Sequence, residues 1–172
     1  MFVNKIPILA SVSRNIHYST ATVLRSAKAE ELYLGITEIM KQYEYRGMKV
    51  TTILVDKQFE CVGSRFPGVD VNVVSRDEHV PEIERLIRVI KERCRCYFSA
   101  MPFKKIPHRM CVELVHTVIF YLNAFPWING PEKTLSPFTI VQGKHLNFNK
   151  HFQVKFSEYT QTYKGTDNIM KP

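Results

Sequence analysis

The segment SRDEHVPEIERLIRVIKERCR, residues 75–95, joins acids and bases at helical spacing. At about 100° of rotation per residue, four charged residues fall within an arc of roughly 60°: Glu84, Arg88, Lys91 and Arg95. Glu82 points about 160° away from Glu84, so the two glutamates cannot serve one site. A carboxylate in line with bases can hold a divalent cation while its helix lies along a phosphate backbone. The alternative is an ordinary ion pair between Glu84 and Arg88 on a solvated helix face.

Asp56 is the candidate second carboxylate. It ends the apolar segment MKVTTILVD, and sites in open α/β sheets form at the carboxyl ends of strands. Because a divalent cation needs more than one carboxylate, we predict that Asp56 and Glu84 share a metal site. Taken alone, Asp56 is explained equally well as a turn residue.

The positive charge of the chain is concentrated in one stretch. The formal net charge is +8, from 24 Lys and Arg against 16 Asp and Glu. Residues 85–109 hold eight bases and one acid, Glu92, a net +7. This stretch favours an anionic partner. Lys104 and Lys105 either extend the same surface or belong to a solvated loop between two helices.

Cysteine spacing argues against a structural zinc site, and hydropathy argues against a membrane protein. Four cysteines form neither a C-x-x-C pair nor a zinc-binding pattern with histidine: Cys61, Cys94, Cys96 and Cys111. Reduced, mostly buried thiols are typical of an intracellular protein, here nuclear or cytoplasmic. The longest apolar run, VELVHTVIFYLNAFPWI, contains Glu113, His116 and Asn123. It therefore predicts a buried helix, and we expect no membrane segment.

The periodicity of apolar residues predicts the elements that position these side chains. Residues 1–24 predict a hairpin with turns at Asn4-Lys5 and Arg14-Asn15, followed by an amphipathic helix that ends at Gly47. Two interior strands follow, at MKVTTILVD and VDVNVVS. A helix over 79–98 and an apolar helix from Arg109 to Phe125 come next. The core stripe of helix 79–98 comprises Ile83, Leu86, Ile87, Ile90, Cys94, Tyr97 and Phe98. After Pro126 we expect a short helical turn and then extended segments. This order favours one α/β domain with a mixed sheet covered by helices.

Four blocks of the sequence, in order, resemble the integrase catalytic core of copia-type retrotransposons, a branch of the ribonuclease-H-like fold. ASVSRNIHYSTATVLRSAKAEE is similar to the second and third strands of that family, and GMKVTTILVDKQFE to the strand that carries its second catalytic aspartate. HVPEIERLIRVIKER is similar to its catalytic helix. VIFYLNAFPWINGPEKTLSPFTIVQGKHLNF resembles a later helix, an asparagine-x-x-proline step and the elements that follow.

The resemblance implies a fold and a chemistry. The fold would be a ribonuclease-H-like mixed sheet, with antiparallel first strands and then parallel strands, flanked by helices. Asp56 and Glu84 would be catalytic residues that bind Mg²⁺ or Mn²⁺ for DNA strand transfer. DNA would contact five bases: Arg88, Lys91, Arg95, Lys104 and Lys105. DNA is thus the expected partner, and self-association into a homo-oligomer stays open.

The chain departs from the family pattern at its first carboxylate. Residues 1–55 contain no aspartate, and their acids, Glu30, Glu31, Glu38 and Glu44, lie in the predicted amphipathic helix. We therefore expect a core over residues 1–145 that lacks the start of its first strand, followed by a C-terminal β extension over 146–172. Asp56 is also followed by Lys57-Gln58 instead of asparagine-glycine, and its 28-residue separation from Glu84 is short.

Three hypotheses follow from these observations. The chain is a metal-dependent polynucleotidyl transferase, a catalytically inactive relic that keeps affinity for DNA, or an unrelated α/β interaction module with a basic face. A fully parallel sheet would favour the third.

Overall fold

The computed structural model describes residues 1–74, 80–128 and 130–158. The strands are β1 (Phe2–Val3), β2 (Ile6–Val12), β3 (Ser19–Val23), β4 (Thr52–Val55) and β5 (Asp70–Val73). The helices are α1 (Ala29–Glu44), α2 (Glu60–Gly63), α3 (Pro81–Ala100), α4 (His108–Ala124), α5 (Pro137–Gln142) and α6 (Phe148–His151), and a 3₁₀ turn at Lys57–Phe59 precedes α2.

The first three strands form an antiparallel sheet in the order β1-β2-β3. Asn4 and Lys5 connect β1 to β2 with φ values of 48° and 66°, the left-handed conformation that tight hairpin turns require. The predicted turn at Arg14-Asn15 connects β2 to β3, and Val12 pairs with Ser19 across it. Both predicted turns are confirmed.

The remaining strands, β4 and β5, form a parallel pair in register from Thr52↔Asp70 to Val55↔Val73. With the antiparallel sheet they give the predicted mixed α/β architecture. The prediction that both are interior strands is wrong, because Val55 is the one buried residue of the pair. Each strand has a single hydrogen-bonded neighbour in the described part of the chain, so much of its surface stays accessible.

A first core fills the space between one face of the antiparallel sheet and helices α3 and α4. Ile8 of β2, Ile90 of α3 and Val118 of α4 are at most 2% exposed. Leu86, Ile90 and Cys94 of the predicted stripe are buried, whereas Phe98 is 37% exposed. The assignment of Phe98 to the core is wrong because α3 continues to Ala100 and its last residues are all exposed.

A second core lies on the opposite face of the antiparallel sheet, under α1. Ile8 and Leu9 are consecutive in β2, and Leu9 joins this second core because side chains alternate across a strand. Leu32, Ile36 and Ile39 of α1 pack against it. The helix approaches closely at Gly35, where an added Cβ would lie 2.9 Å from Leu9 Cδ2.

The segment after α5 packs against α4, and its Phe156 contacts the first core. The extended structure predicted there is wrong for residues 148–151, which form α6. Phe148 and Phe152, four residues apart, stack at 5.0 Å, and Phe152 lies 5.4 Å from Phe120 of α4, so aromatic contacts at helical spacing stabilise the turn. Residues 146–147 and 152–158 of the predicted β extension contain no strand. Residues 159–172 lie outside the described residues.

Candidate nucleic-acid interface and metal site

Helix α3 positions the charged residues singled out in the sequence. Pro81 occupies its first turn together with Glu82 and Glu84, and both residue types suit a helix amino terminus. Its buried stripe fixes the helix against β2 and α4, which leaves the two borders of the stripe accessible. One of them, the basic border, consists of Glu84, Arg88, Lys91 and Arg95; Lys91 is partly buried and the other three are exposed.

The amino terminus of the chain lies close to the basic border. The Met1 amine donates a hydrogen bond to Ile8 O at 2.8 Å, and Ile8 N–H donates to Met1 O at 2.8 Å. Burial, and then the positive charge of Lys91, lowers the pKa of the Met1 amine. The start of the β1 hairpin therefore lies beside Lys91.

Glu82 has a structural partner that the sequence did not predict. Its Oε1 lies 3.3 Å from Nε of Arg14, in the turn between β2 and β3. Glu82 therefore joins the start of α3 to this turn, consistent with its predicted separation from Glu84 on the helical wheel. Arg14 and Glu82 are separated by 68 positions, so local periodicity gave no signal for the pair.

Asp56 lies at the carboxyl end of β4, as predicted, and is exposed. Its Oδ1 accepts a hydrogen bond from Lys57 N–H at 2.8 Å and caps the 3₁₀ turn. This contact supports the turn-residue alternative. Asp56 follows the parallel pair, whereas Glu84 belongs to the helix on the antiparallel sheet, so the two acids are carried by different parts of the fold.

Carboxylate oxygens suit Mg²⁺ or Mn²⁺, but the ligand set here is small. Across the described ranges, no group of three or more His, Cys, Asp or Glu side chains is placed to hold a metal ion. A two-metal site needs a bridging ligand and further carboxylates. Metal binding by Asp56 and Glu84 therefore stays a prediction.

The two lysines predicted to extend the DNA surface lie in the connection between α3 and α4. Lys104 and Lys105 are both exposed there. This placement is compatible with either role considered for them.

None of the helices in the described ranges is long and apolar enough to cross a membrane.

Asn123 of α4, in the asparagine-x-x-proline step, is buried and fully paired. Its Nδ2 donates to Ser19 O at 2.7 Å, and its Oδ1 accepts from Ser19 N–H at 2.8 Å. The side chain thus binds both backbone groups of the first residue of β3. This asparagine joins α4 to the sheet and has a structural role.

Comparison with solved structures identifies the architecture. The chain is similar to the catalytic core domain of BIV integrase, with a TM-score of 0.54 and 17% sequence identity, over 81% of this chain and 88% of that chain. The chain has the fold of an integrase catalytic core. No protein-family model and no curated protein sequence matches it. At this identity the likeness establishes the fold, and function has to be argued from the residues.

Proposed function

We propose that the chain is an integrase-core fragment of copia-type retrotransposon origin that binds duplex DNA along the basic border of α3. The observation that carries this proposal is a row of three bases, with Arg88 and Arg95 exposed and Lys91 partly buried, on a closely packed helix within an integrase-core fold. Cys61 and Cys96 are exposed and only Cys94 and Cys111 are buried, so the expectation of mostly buried thiols is wrong for two of the four. We propose an intracellular setting, nuclear or cytoplasmic, because all four thiols are free.

The spacing of the bases fits a phosphate backbone. From Arg88 to Arg95 the helix rises ~10 Å, a length over which one DNA strand presents about three phosphates. The helix cannot turn these side chains away without removing Leu86 and Ile90 from the core. Such a surface predicts binding that depends on salt and little on DNA sequence.

The first experiment measures affinity for a fluorescein-labelled duplex by anisotropy from about 50 to about 200 mM salt. Replacing Arg88, Lys91 and Arg95 together by alanine should weaken binding and make the slope of log K against log salt less negative by about three. The matched control replaces three exposed lysines elsewhere, Lys49, Lys133 and Lys150. If both triple variants change the slope equally, net charge and not the basic border is responsible.

The ancestral activity we propose is metal-dependent DNA strand transfer with Asp56 and Glu84 as metal-binding catalytic residues. Mn²⁺-dependent nicking that is abolished by either Asp56→Asn or Glu84→Gln would support it. Nicking that survives both substitutions would refute the assignment of these two residues.

A catalytically inactive relic is the second candidate, and two observations favour it. Asp56 caps a turn, and the described residues offer no larger ligand cluster. DNA binding without nicking in either Mg²⁺ or Mn²⁺ would establish this alternative. The third hypothesis, an unrelated module, loses the support that a fully parallel sheet would have given it, because β1, β2 and β3 are antiparallel.

We further propose that the gene encodes a continuation of β1 that carries the first carboxylate of the family. β1 pairs with Ile6 and Pro7 and Met1 bonds Ile8, whereas β2 runs on to Val12. A continued β1 would pair with that remaining edge. Sequencing the transcript and the genomic DNA upstream of the Met1 codon tests this: an in-frame strand ending in aspartate supports it, and an in-frame stop contradicts it.

A further inference from the structure

A concave surface, which we call the aromatic cleft, lies where α3 and the end of α4 meet. Its volume is about 440 Å³, within the roughly 300–1,000 Å³ typical of ligand pockets. Its principal lining residues are Arg93 and Tyr97 from α3, Tyr121 from α4, and Phe125 and Trp127 from the segment after α4. The cleft is therefore aromatic, with one cationic side chain.

Trp127 is held in a defined orientation by the turn between β2 and β3. The His17 ring stacks on it with centroids 4.7 Å apart and planes 19° apart. His17 itself has φ of 58° and donates its backbone N–H to Ser13 O at 2.9 Å. Trp127 nevertheless remains 42% exposed, so an indole supported by one ring still presents surface to the cleft.

The charge of the cleft selects among ligands that stack on aromatic rings. No acid is among the residues that line it, and Arg93 is its charged residue. An aromatic site for an organic cation would gain from a carboxylate and would be opposed by Arg93. An arginine beside exposed aromatic rings instead suits a planar base that carries a phosphate.

The aromatic cleft is separate from the basic border. On the helical wheel Arg93 lies about 180° from Glu84, on the other side of the buried stripe that contains Ile90 and Cys94. Both sites belong to the strongly basic stretch 85–109. One helix thus has bases on both borders, with aromatic neighbours on one of them.

We propose that the aromatic cleft binds an unpaired nucleotide of single-stranded nucleic acid, with the base stacked on Trp127, Tyr97 or Tyr121 and the phosphate bound by Arg93. This inference rests on the proposed function in that the cleft and the basic border bind one class of ligand. The two sites have different ligands: the basic border contacts the phosphate backbone of a duplex, and the cleft binds an unpaired, unstacked base.

The test uses the intrinsic fluorescence of Trp127, the single tryptophan of the chain. An oligothymidylate should quench it at saturation, whereas an abasic strand of the same length and phosphate number should leave it nearly unchanged. Arg93→Gln should weaken the oligothymidylate roughly ten-fold, as should Tyr121→Ala. Circular dichroism verifies the fold of each variant, and Lys49→Gln, at an exposed lysine outside both sites, is the matched control that should retain the quenching.

The outcomes separate this inference from the proposed function. Equal quenching by the abasic strand, or none by oligothymidylate while duplex DNA still binds, overturns the aromatic cleft as a base site and leaves the basic border standing. Quenching that survives both Arg93→Gln and Tyr121→Ala also overturns it. Base-dependent quenching without duplex binding would support the cleft and contradict the proposed function.

Discussion

The two cores on opposite faces of the antiparallel sheet differ in chemistry. The first, under α3 and α4, is built from aliphatic side chains, cysteines and Met101. The second, under α1, contains two tyrosines, and the Tyr18 hydroxyl donates to Gln42 at 3.3 Å and accepts from Gln142 at 3.2 Å. Apolar packing thus provides the main support for the helix that carries the basic border, whereas hydrogen bonds of Tyr18 help to position the second core.

This difference indicates where rigidity is needed. A row of bases keeps its spacing only if the helix beneath it cannot rotate, and a close-packed apolar stripe resists rotation. The parallel pair that carries Asp56 packs on the second core through the partly buried Ile53 and Val71. The helix that carries Glu84 is therefore held more rigidly than the strand end that carries Asp56.

The largest expected loss of stability comes from a large-to-small substitution that leaves a cavity in each core. Ile90→Ala, at a side chain with 0% exposure, should lower the free energy of unfolding by about 3–5 kcal/mol, and Ile39→Ala, at a side chain of the second core with 7% exposure, by about 2–3 kcal/mol. Urea unfolding followed by circular dichroism measures both. Equal losses would contradict the difference in packing inferred for the two cores.

Asn123→Ala should cause the next largest loss of stability. It leaves the N–H and C=O of Ser19 buried without their partner, which costs about 2–3 kcal/mol. Exposed Asn72 in β5 provides a control, because Asn72→Ala should change the midpoint of unfolding by little. A loss no larger than that of Asn72→Ala would show that water replaces both hydrogen bonds.

Alkaline pH should weaken the two cores in turn. Burial, then the neighbouring Cys111, raises the pKa of Cys94 from 9.0 to about 11. Burial raises the pKa of Tyr43 from 10.0 to about 12, although the hydrogen bond with Ser13 acts the other way. Each neutral form is favoured by folding, so its contribution is complete below the ordinary pKa and disappears as pH rises through the raised one.

Urea midpoints measured from about pH 8 to about pH 12 under reducing conditions check this sign. Cys94→Ala should flatten the part of the curve from pH 9 to 11, and Tyr43→Phe the part from pH 10 to 12. Parallel curves for the native chain and both variants would contradict the assignment.

The smallest effect should come from the ion pair between Arg14 and Glu82. Both side chains are largely accessible, 60% and 42% exposed, so Glu82→Gln should cost less than about 1 kcal/mol and lose even that at high salt. A double-mutant cycle with Arg14→Gln measures the coupling. A coupling well above this bound would mean that the start of α3 depends on the turn.

The sequence by itself determined the local elements and the orientation of α3. Left-handed conformations at Asn4 and Lys5 give the first turn, and the 3.6-residue period of α3 placed Leu86, Ile90 and Cys94 inside. These features depend on neighbours a few residues apart, which the order of side chains specifies. The position of Asp56 at a strand end followed in the same way.

Tertiary structure alone decided which distant residues meet. Asn123 binds Ser19 across 104 positions, Glu82 pairs with Arg14, and Trp127 stacks on His17. Phe152 likewise packs on Phe120 where extended structure was predicted. Local periodicity specifies the face of an element on which a residue lies. Its partner on that face is set by how the helices pack on the sheet, because that packing brings together residues far apart in the sequence.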